Sequence, residues 1–229
     1  MKTFKHTLQF KYLFLLVLFA IAALSSCKKD DSNAGISGSA YVMITNAAEG
    51  SSAQDFYLDN AKLNASAVAY TQSSSYLTAS SGNRAAQFTN SGSTTANASF
   101  SMSLSGGQYY SVYYTGSASS NSYVVAQDDQ SAPASGKAKV RFIHLASAAA
   151  STAVDFGISA TNKLVTGLAY KAVSAYNTVD ANTTFFLYAS GSTTATLSIP
   201  VTIQAGKIYT IYVSGATTAT LSYHIIAQN

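Results

Sequence analysis

The sequence predicts an all-β protein made of two tandem β-sandwich domains. Three observations carry that expectation. Short runs rich in β-branched and aromatic residues alternate with Gly/Ser/Asn breaks, with no sustained helical period. One half of the chain repeats the other at a spacing of about a hundred residues. An L-x-x-G-x-x-Y motif late in the first half is matched by I-x-x-G-x-x-Y late in the second.

The repeat comes first, because it sets the boundaries. "QDFYLDNAKLNASAVAYTQSSSYLT" from Gln54 lines up with "VDFGISATNKLVTGLAYKAVSAYNT" from Val154. Asp55-Phe56 matches Asp155-Phe156, Tyr70 matches Tyr170, and Tyr76 matches Tyr176. "SGSTTA" recurs at Ser91 and Ser190, and "LSGGQYYSVYYTG" from Leu104 matches "IQAGKIYTIYVSG" from Ile203. At the ends, Val125-Ala126-Gln127 is set against Ile226-Ala227-Gln228. These matches place repeat 1 at 39–127 and repeat 2 at 138–229. The segment 128–137, "DDQSAPASGK", has no apolar period and reads as the linker.

Each copy supplies about seven candidate strands. In copy one they fall near 40–46, 54–58, 75–79, 84–89, 97–104, 109–114 and 122–127. In copy two, "AKVRFIHL" puts Ala138, Val140, Phe142 and His144 on one face, with Lys139, Arg141, Ile143 and Leu145 on the other. About ninety residues and seven strands per copy suit a sandwich.

The motif sharpens the fold class. Leu104, Gly107 and Tyr110, repeated as Ile203, Gly206 and Tyr209, resemble the tyrosine corner of Greek-key, immunoglobulin-like sandwiches. Gly permits the tight corner, and the Tyr hydroxyl is expected to bond back to upstream backbone.

The amino end gives a location. Lys2, Lys5 and Lys11 precede the uncharged run Tyr12 to Leu24, and Ser25 and Ser26 follow. That order describes a secretory signal over 1–26. A membrane-spanning helix needs roughly 20 apolar residues, more than this run has. "LSSC" then resembles the lipobox of bacterial lipoproteins, which implies that Cys27 carries a diacylglyceryl group and opens the mature chain. Cys27 is the only cysteine, so an internal disulfide is excluded. "KKDDSN", Lys28 to Asn33, resembles the export signal of Bacteroidota surface lipoproteins. The resemblance implies lipid anchoring in the outer membrane, facing outward, with 27–38 as lipidated Cys and flexible tether.

Charge then loses its first meaning. The chain is formally +4, but three lysines leave with the signal and the mature chain is +1. No clustered basic patch remains, so a nucleic-acid partner is not expected.

"VRFIHLAS…AVDF" in copy two resembles the opening of the bacterial domain-of-unknown-function 4397 family, roughly V-R-x-x-H-x-S-P, then V-D-V, then a late G-x-x-Y-T. Val140, Arg141, His144, Val154, Asp155, Gly206, Tyr209 and Thr210 carry the match. Copy one departs from it, with Met43 for the Arg and Asn46 for the His, and neither copy has the family's Pro-rich turn. The resemblance implies a secreted or surface β domain, often in tandem, without an established activity.

Candidate chemistry is sparse. His144 is expected to be buried at the end of a core strand and bonded to backbone. Arg141 and Asp155 are expected to form a cross-strand ion pair, and His224 to be exposed. Asp128 and Asp129 fall short of a calcium ligand set, and no metal or cofactor is expected. The sequon asparagines Asn64, Asn97 and Asn182 read as loop composition. No base is ordered beside any serine, so an enzyme is not expected.

Tyrosine is the composition signal, with 16 Tyr and no Trp. Tyr109, Tyr113 and the copy-two equivalent Tyr212 share the strand face opposite Tyr110. Exposed, they would form an aromatic strip able to stack on sugar rings; buried, they are packing. The first functional reading is therefore a non-catalytic envelope module of structural or adhesion type, whose partner is an envelope protein. A glycan-binding lipoprotein of nutrient capture, using Tyr109, Tyr113 and Tyr212, is the alternative. A fimbrial subunit accepting a donor strand is a third.

Overall fold

The computed structural model describes residues 38–117 and 120–229. The signal, Cys27, the export signal and all of the tether except Gly38 lie outside the described residues.

Repeat 1 contains β1 (Ser39–Asn46), β2 (Gln54–Leu58), β3 (Ala61–Lys62), β4 (Leu77–Ser80), β5 (Gly82–Asn90), β6 (Ala96–Leu104), β7 (Tyr109–Ser117) and β8 (Ser120–Asp128). Repeat 2 contains β9 (Lys137–His144), β10 (Val154–Gly157), β11 (Lys163–Leu168), β12 (Asn177–Asp180), β13 (Phe185–Ala189), β14 (Ala195–Ile199), β15 (Ile208–Ser214) and β16 (Ser222–Ala227). A single 3-10 turn, Ser147–Ala149, follows β9. The strands beyond the expected seven are β3 and β11. β3 is two exposed residues, and β11 pairs through register shifts, so neither shows an alternating pattern.

Each repeat is a Greek-key sandwich of two four-stranded sheets. Their orders are β4-β1-β7-β8 over β3-β2-β5-β6, and β12-β9-β15-β16 over β11-β10-β13-β14. The first strand lies parallel to the seventh, with Val42 opposite Tyr110 and Val140 opposite Tyr209. A constant-type immunoglobulin domain instead sets its first two strands side by side in one sheet. Here β1 and β2 belong to different sheets, so the sandwich architecture holds with its own connectivity.

The cores follow strand periodicity. Val42, Ile44 and Val112 face Phe56 and Phe88 in repeat 1. Val140, Phe142 and Ile211 face Phe156 and Phe185 in repeat 2. Phe142 stacks on Phe156 at 4.5 Å and meets Phe185 edge-on at 5.4 Å. Burying each such side chain contributes about 1.5–3 kcal/mol. Both corner tyrosines work as expected. The Ser105 N–H donates to the Tyr110 hydroxyl at 3.0 Å, and the Gln204 N–H to the Tyr209 hydroxyl at 3.2 Å. Gly107 and Gly206 take φ of 76° and 82°, the left-handed turn this corner needs.

Candidate functional site at the repeat junction

The outer faces of sheets β4-β1-β7-β8 and β12-β9-β15-β16 meet. Ala47, Tyr113 and Val124 from repeat 1 pack with Ile143, Leu145 and Tyr212 from repeat 2. Tyr113 and Tyr212, equivalent positions, touch edge-on at 5.9 Å. Equivalent residues meeting each other is the mark of a two-fold interface, here within one chain. Flanking groups extend the contact. The Tyr70 and Ser214 hydroxyls bond at 2.9 Å, and the Lys171 ammonium donates to the Ser122 hydroxyl at 3.1 Å.

A polar network seals one side of this junction. Arg141, 1 % exposed, donates from Nη2 to Asp128, from Nε to the Thr210 hydroxyl at 2.8 Å, and from Nη1 to the Gln127 carbonyl at 3.0 Å. The other Asp128 oxygen accepts from Tyr76 and from Ser111, both at 2.7 Å. Gln228 accepts from the Tyr176 hydroxyl at 2.7 Å and the Thr210 hydroxyl at 3.1 Å, and donates to the Tyr76 hydroxyl at 3.2 Å. Burial pushes the Tyr76 and Tyr176 hydroxyls above their ordinary range, with the Asp128 carboxylate adding to the rise. They stay protonated and donate.

Beside this network opens a cleft of about 750 Å³. Its walls include Tyr109 and Tyr176, and its rim Gln108, Gln127, Asp129 and Gln130. Tyr109 stacks on Tyr41 at 4.5 Å and meets Tyr76 edge-on at 5.0 Å. Asp129 pairs with Lys139 at 2.5 Å, and that hydrogen bond, helped by Ser131, holds its carboxyl down at about 2.

Several expectations are corrected here. Tyr113 and Tyr212 are fully buried, so no exposed strip joins them to Tyr109, which is half-buried at the cleft. The reason is that the second repeat covers the face that a lone sandwich would leave open. For the same reason Arg141 does not pair with Asp155 but is buried against Asp128. Asp155 instead accepts the N–H groups of Gly167 at 2.8 Å and Gly191 at 3.1 Å. Burial opposes its charge, yet those two donors hold its carboxyl below the ordinary range. Asp128 is the last residue of β8 rather than linker. Strand register also moves the end match by one. Tyr110 faces Gln127 while Tyr209 faces Ala227, so Asp128, not Gln127, stands in the place of Gln228. His224 is half-buried, bonded to the Ser214 hydroxyl at 2.9 Å and stacked on Tyr212 at 4.7 Å. Asn64 is no mere loop filler: it accepts the Phe56 N–H at 2.7 Å and donates to Ser66 at 2.9 Å.

His144 sits where expected, buried, with Nε2 at 3.2 Å from the Ala149 and Thr152 carbonyls. Both neighbours are acceptors, so Nε2 carries the proton, and burial pushes the imidazole below its ordinary range. Asn46, its equivalent, secures the same loop in repeat 1 by donating to the Ser52 and Val68 carbonyls at 3.2 Å. Among the described residues, no group of three His, Cys, Asp or Glu could hold a metal ion.

Sequence reasoning passed over Tyr76, Tyr176 and Asp128 as site residues. The two tyrosines left a signal, since they match between repeats, Tyr76 within the strand expected near 75–79. The motif singles out Arg141 but gives it Asp155 as its partner; Asp128 left no signal, because it does not match between the repeats.

A comparison with curated proteins finds no match. A family model described as "Domain of unknown function (DUF4397)" matches residues 40–156, from the first strand of repeat 1 into β10 of repeat 2. That match covers more than half of the chain and crosses the junction just described, and the chain belongs to this family.

Proposed function

We propose that this chain is a non-catalytic interaction module of the cell envelope. It is tethered through a lipid on Cys27 to the outer membrane and displayed on the cell surface. One observation carries the reading: the buried charged groups spend their bonding on the protein itself. Arg141 is taken by Asp128, Thr210 and Gln127, and Asp155 by two backbone N–H groups. His144 is held by two carbonyls. An acid, base or nucleophile needs a free valence beside a substrate; Arg141 and Asp155 have structural partners instead, and the open Nδ1 of His144 is buried with no hydrogen-bonding group beside it to order it as a base. What remains is a rigid body with an open cleft, suited to contact rather than chemistry.

The test is adhesion. Cells displaying the chain should attach to surfaces coated with envelope polymers, and excess free protein should compete. Cys27→Ala should abolish palmitate labelling, release the protein from the membrane fraction and remove the attachment. Retained labelling, or attachment indifferent to the chain, would sink the reading.

A further inference from the structure

We infer that the cleft at the repeat junction binds an uncharged, polyhydroxylated ligand, a neutral oligosaccharide. The inference rests on the reading of the chain as an interaction module and names what it holds. The cleft's volume of about 750 Å³ falls within the usual range of ligand sites. Its two tyrosines are already ordered. Tyr109 is fixed by Tyr41 and Tyr76, and Tyr176 by its 2.7 Å bond to Gln228 and the Arg141 guanidinium 5.1 Å from its ring centre. Fixed aromatic walls give apolar contact at little entropic cost.

The rim supplies neutral hydrogen bonding of both signs. The Gln127 side-chain amide donates to the Gln108 side-chain carbonyl at 2.9 Å, which leaves the Gln127 side-chain carbonyl and the Gln108 amino group for a ligand. Gln130 donates to Tyr76 at 3.1 Å and keeps its own carbonyl. Sugar hydroxyls both donate and accept, and the C–H faces of a sugar ring suit tyrosine.

Charge argues against an anion. Each Arg141 nitrogen already has a protein acceptor, and Lys139 is held by Asp129. Each of the two cations at the cleft is thus already matched by a carboxylate, Arg141 by Asp128 and Lys139 by Asp129, so an anionic ligand would meet no net positive charge there. The lost strip and the new cleft therefore share one tyrosine, Tyr109, but not one site.

The experiment uses the full chain in detergent on an array of neutral glycans, acidic glycans and peptides. Neutral glycans should bind, and Gln127→Ala and Gln130→Ala should each weaken binding about fivefold while each variant still unfolds in one cooperative transition. Preference for acidic glycans or peptides would overturn the inference. So would neutral-glycan binding indifferent to both variants, or no binding on the array. If cells still adhere under any of those results, the interaction reading survives and only the cleft assignment falls.

Discussion

Repeat 1 and repeat 2 share a strand order and differ at the face where they meet. Met43 in β1 occupies the place of Arg141 in β9, and Asp128 in β8 the place of Gln228 beyond β16. The apolar centre of the junction is nearly symmetric, with Tyr113 against Tyr212 and Ala47 beside Leu145. Its charge is not symmetric at all. One half brings the guanidinium and the other the carboxylate. Hydrophobic contact tolerates self-complementarity, but a buried charge needs its opposite. Two identical repeats could not supply that pair across the axis without either doubling it or leaving a charge unmatched. Divergence between the copies therefore fixes which face meets which.

The strongest way to break this comparison is to make the repeats alike at one position. Arg141→Met copies Met43 and leaves Asp128 buried and unpaired, which should cost about 3–5 kcal/mol in denaturant unfolding. Adding Asp128→Gln, which copies Gln228, should return most of that loss. A double variant no better than the single would mean that the pair is not coupled.

Tyr113→Ala attacks the symmetric centre instead. Removing a fully buried ring there should cost about 3 kcal/mol or more. The melting temperature of the full chain reads it, and a surface-like effect below 1 °C would contradict the burial.

Asp155→Ala probes a place where the repeats agree in role. Both aspartates take a glycine N–H from a later turn, Gly92 between β5 and β6 for Asp55 and Gly191 between β13 and β14 for Asp155. Asp55 adds an ion pair with Lys62 at 2.8 Å, whereas Asp155 adds the Gly167 N–H. Loss of the Asp155 side chain should cost about 1–3 kcal/mol, read by urea titration. Asp155→Asn should cost less.

His144→Asn copies Asn46 and sharpens the comparison through pH. The folded imidazole titrates below its ordinary 6.5, so the unfolded chain takes up a proton first as pH falls. Stability is therefore full above about 6.5 and is lost as pH drops toward the folded value. The half-buried His224 adds in the same direction. His144→Asn should reduce this slope just below about pH 6.5, above the range where carboxylates such as Asp129 and Asp155 titrate. An unchanged slope in that range would assign it to His224.

The smallest effect belongs to Tyr212→Phe. Its buried hydroxyl has no hydrogen-bond partner. Removing it should be neutral or stabilising by up to about 1 kcal/mol, measured by calorimetry. A clear loss would reveal a bonded hydroxyl.

Much of the fold was legible because strand periodicity and turn residues are local. Val140 and Phe142 alternate toward their core as written, and Leu104-x-x-Gly107-x-x-Tyr110 announces its corner. The site was legible only in part. Arg141 reads as a solvent-facing residue, since nothing within β9 tells that another sheet covers it. Tyr76 is expected within a strand near 75–79, but Tyr76 and Tyr176 sit just before β4 and β12, where strand alternation no longer marks an inward face. Asp128 sits at the boundary of strand and linker, and one residue of register decided its role.

By itself, the sequence determined the repeat, the sandwich class, the corner tyrosines and the buried histidine. Those follow from neighbours in the chain and from the two-residue period of a strand. The tertiary structure alone decided which outer faces meet, and hence that Tyr113 and Tyr212 are core while Tyr109 borders a cleft. It also decided that Arg141 answers Asp128. Such choices depend on the shape and charge of two surfaces assembled from residues far apart in the chain, and no local pattern encodes them.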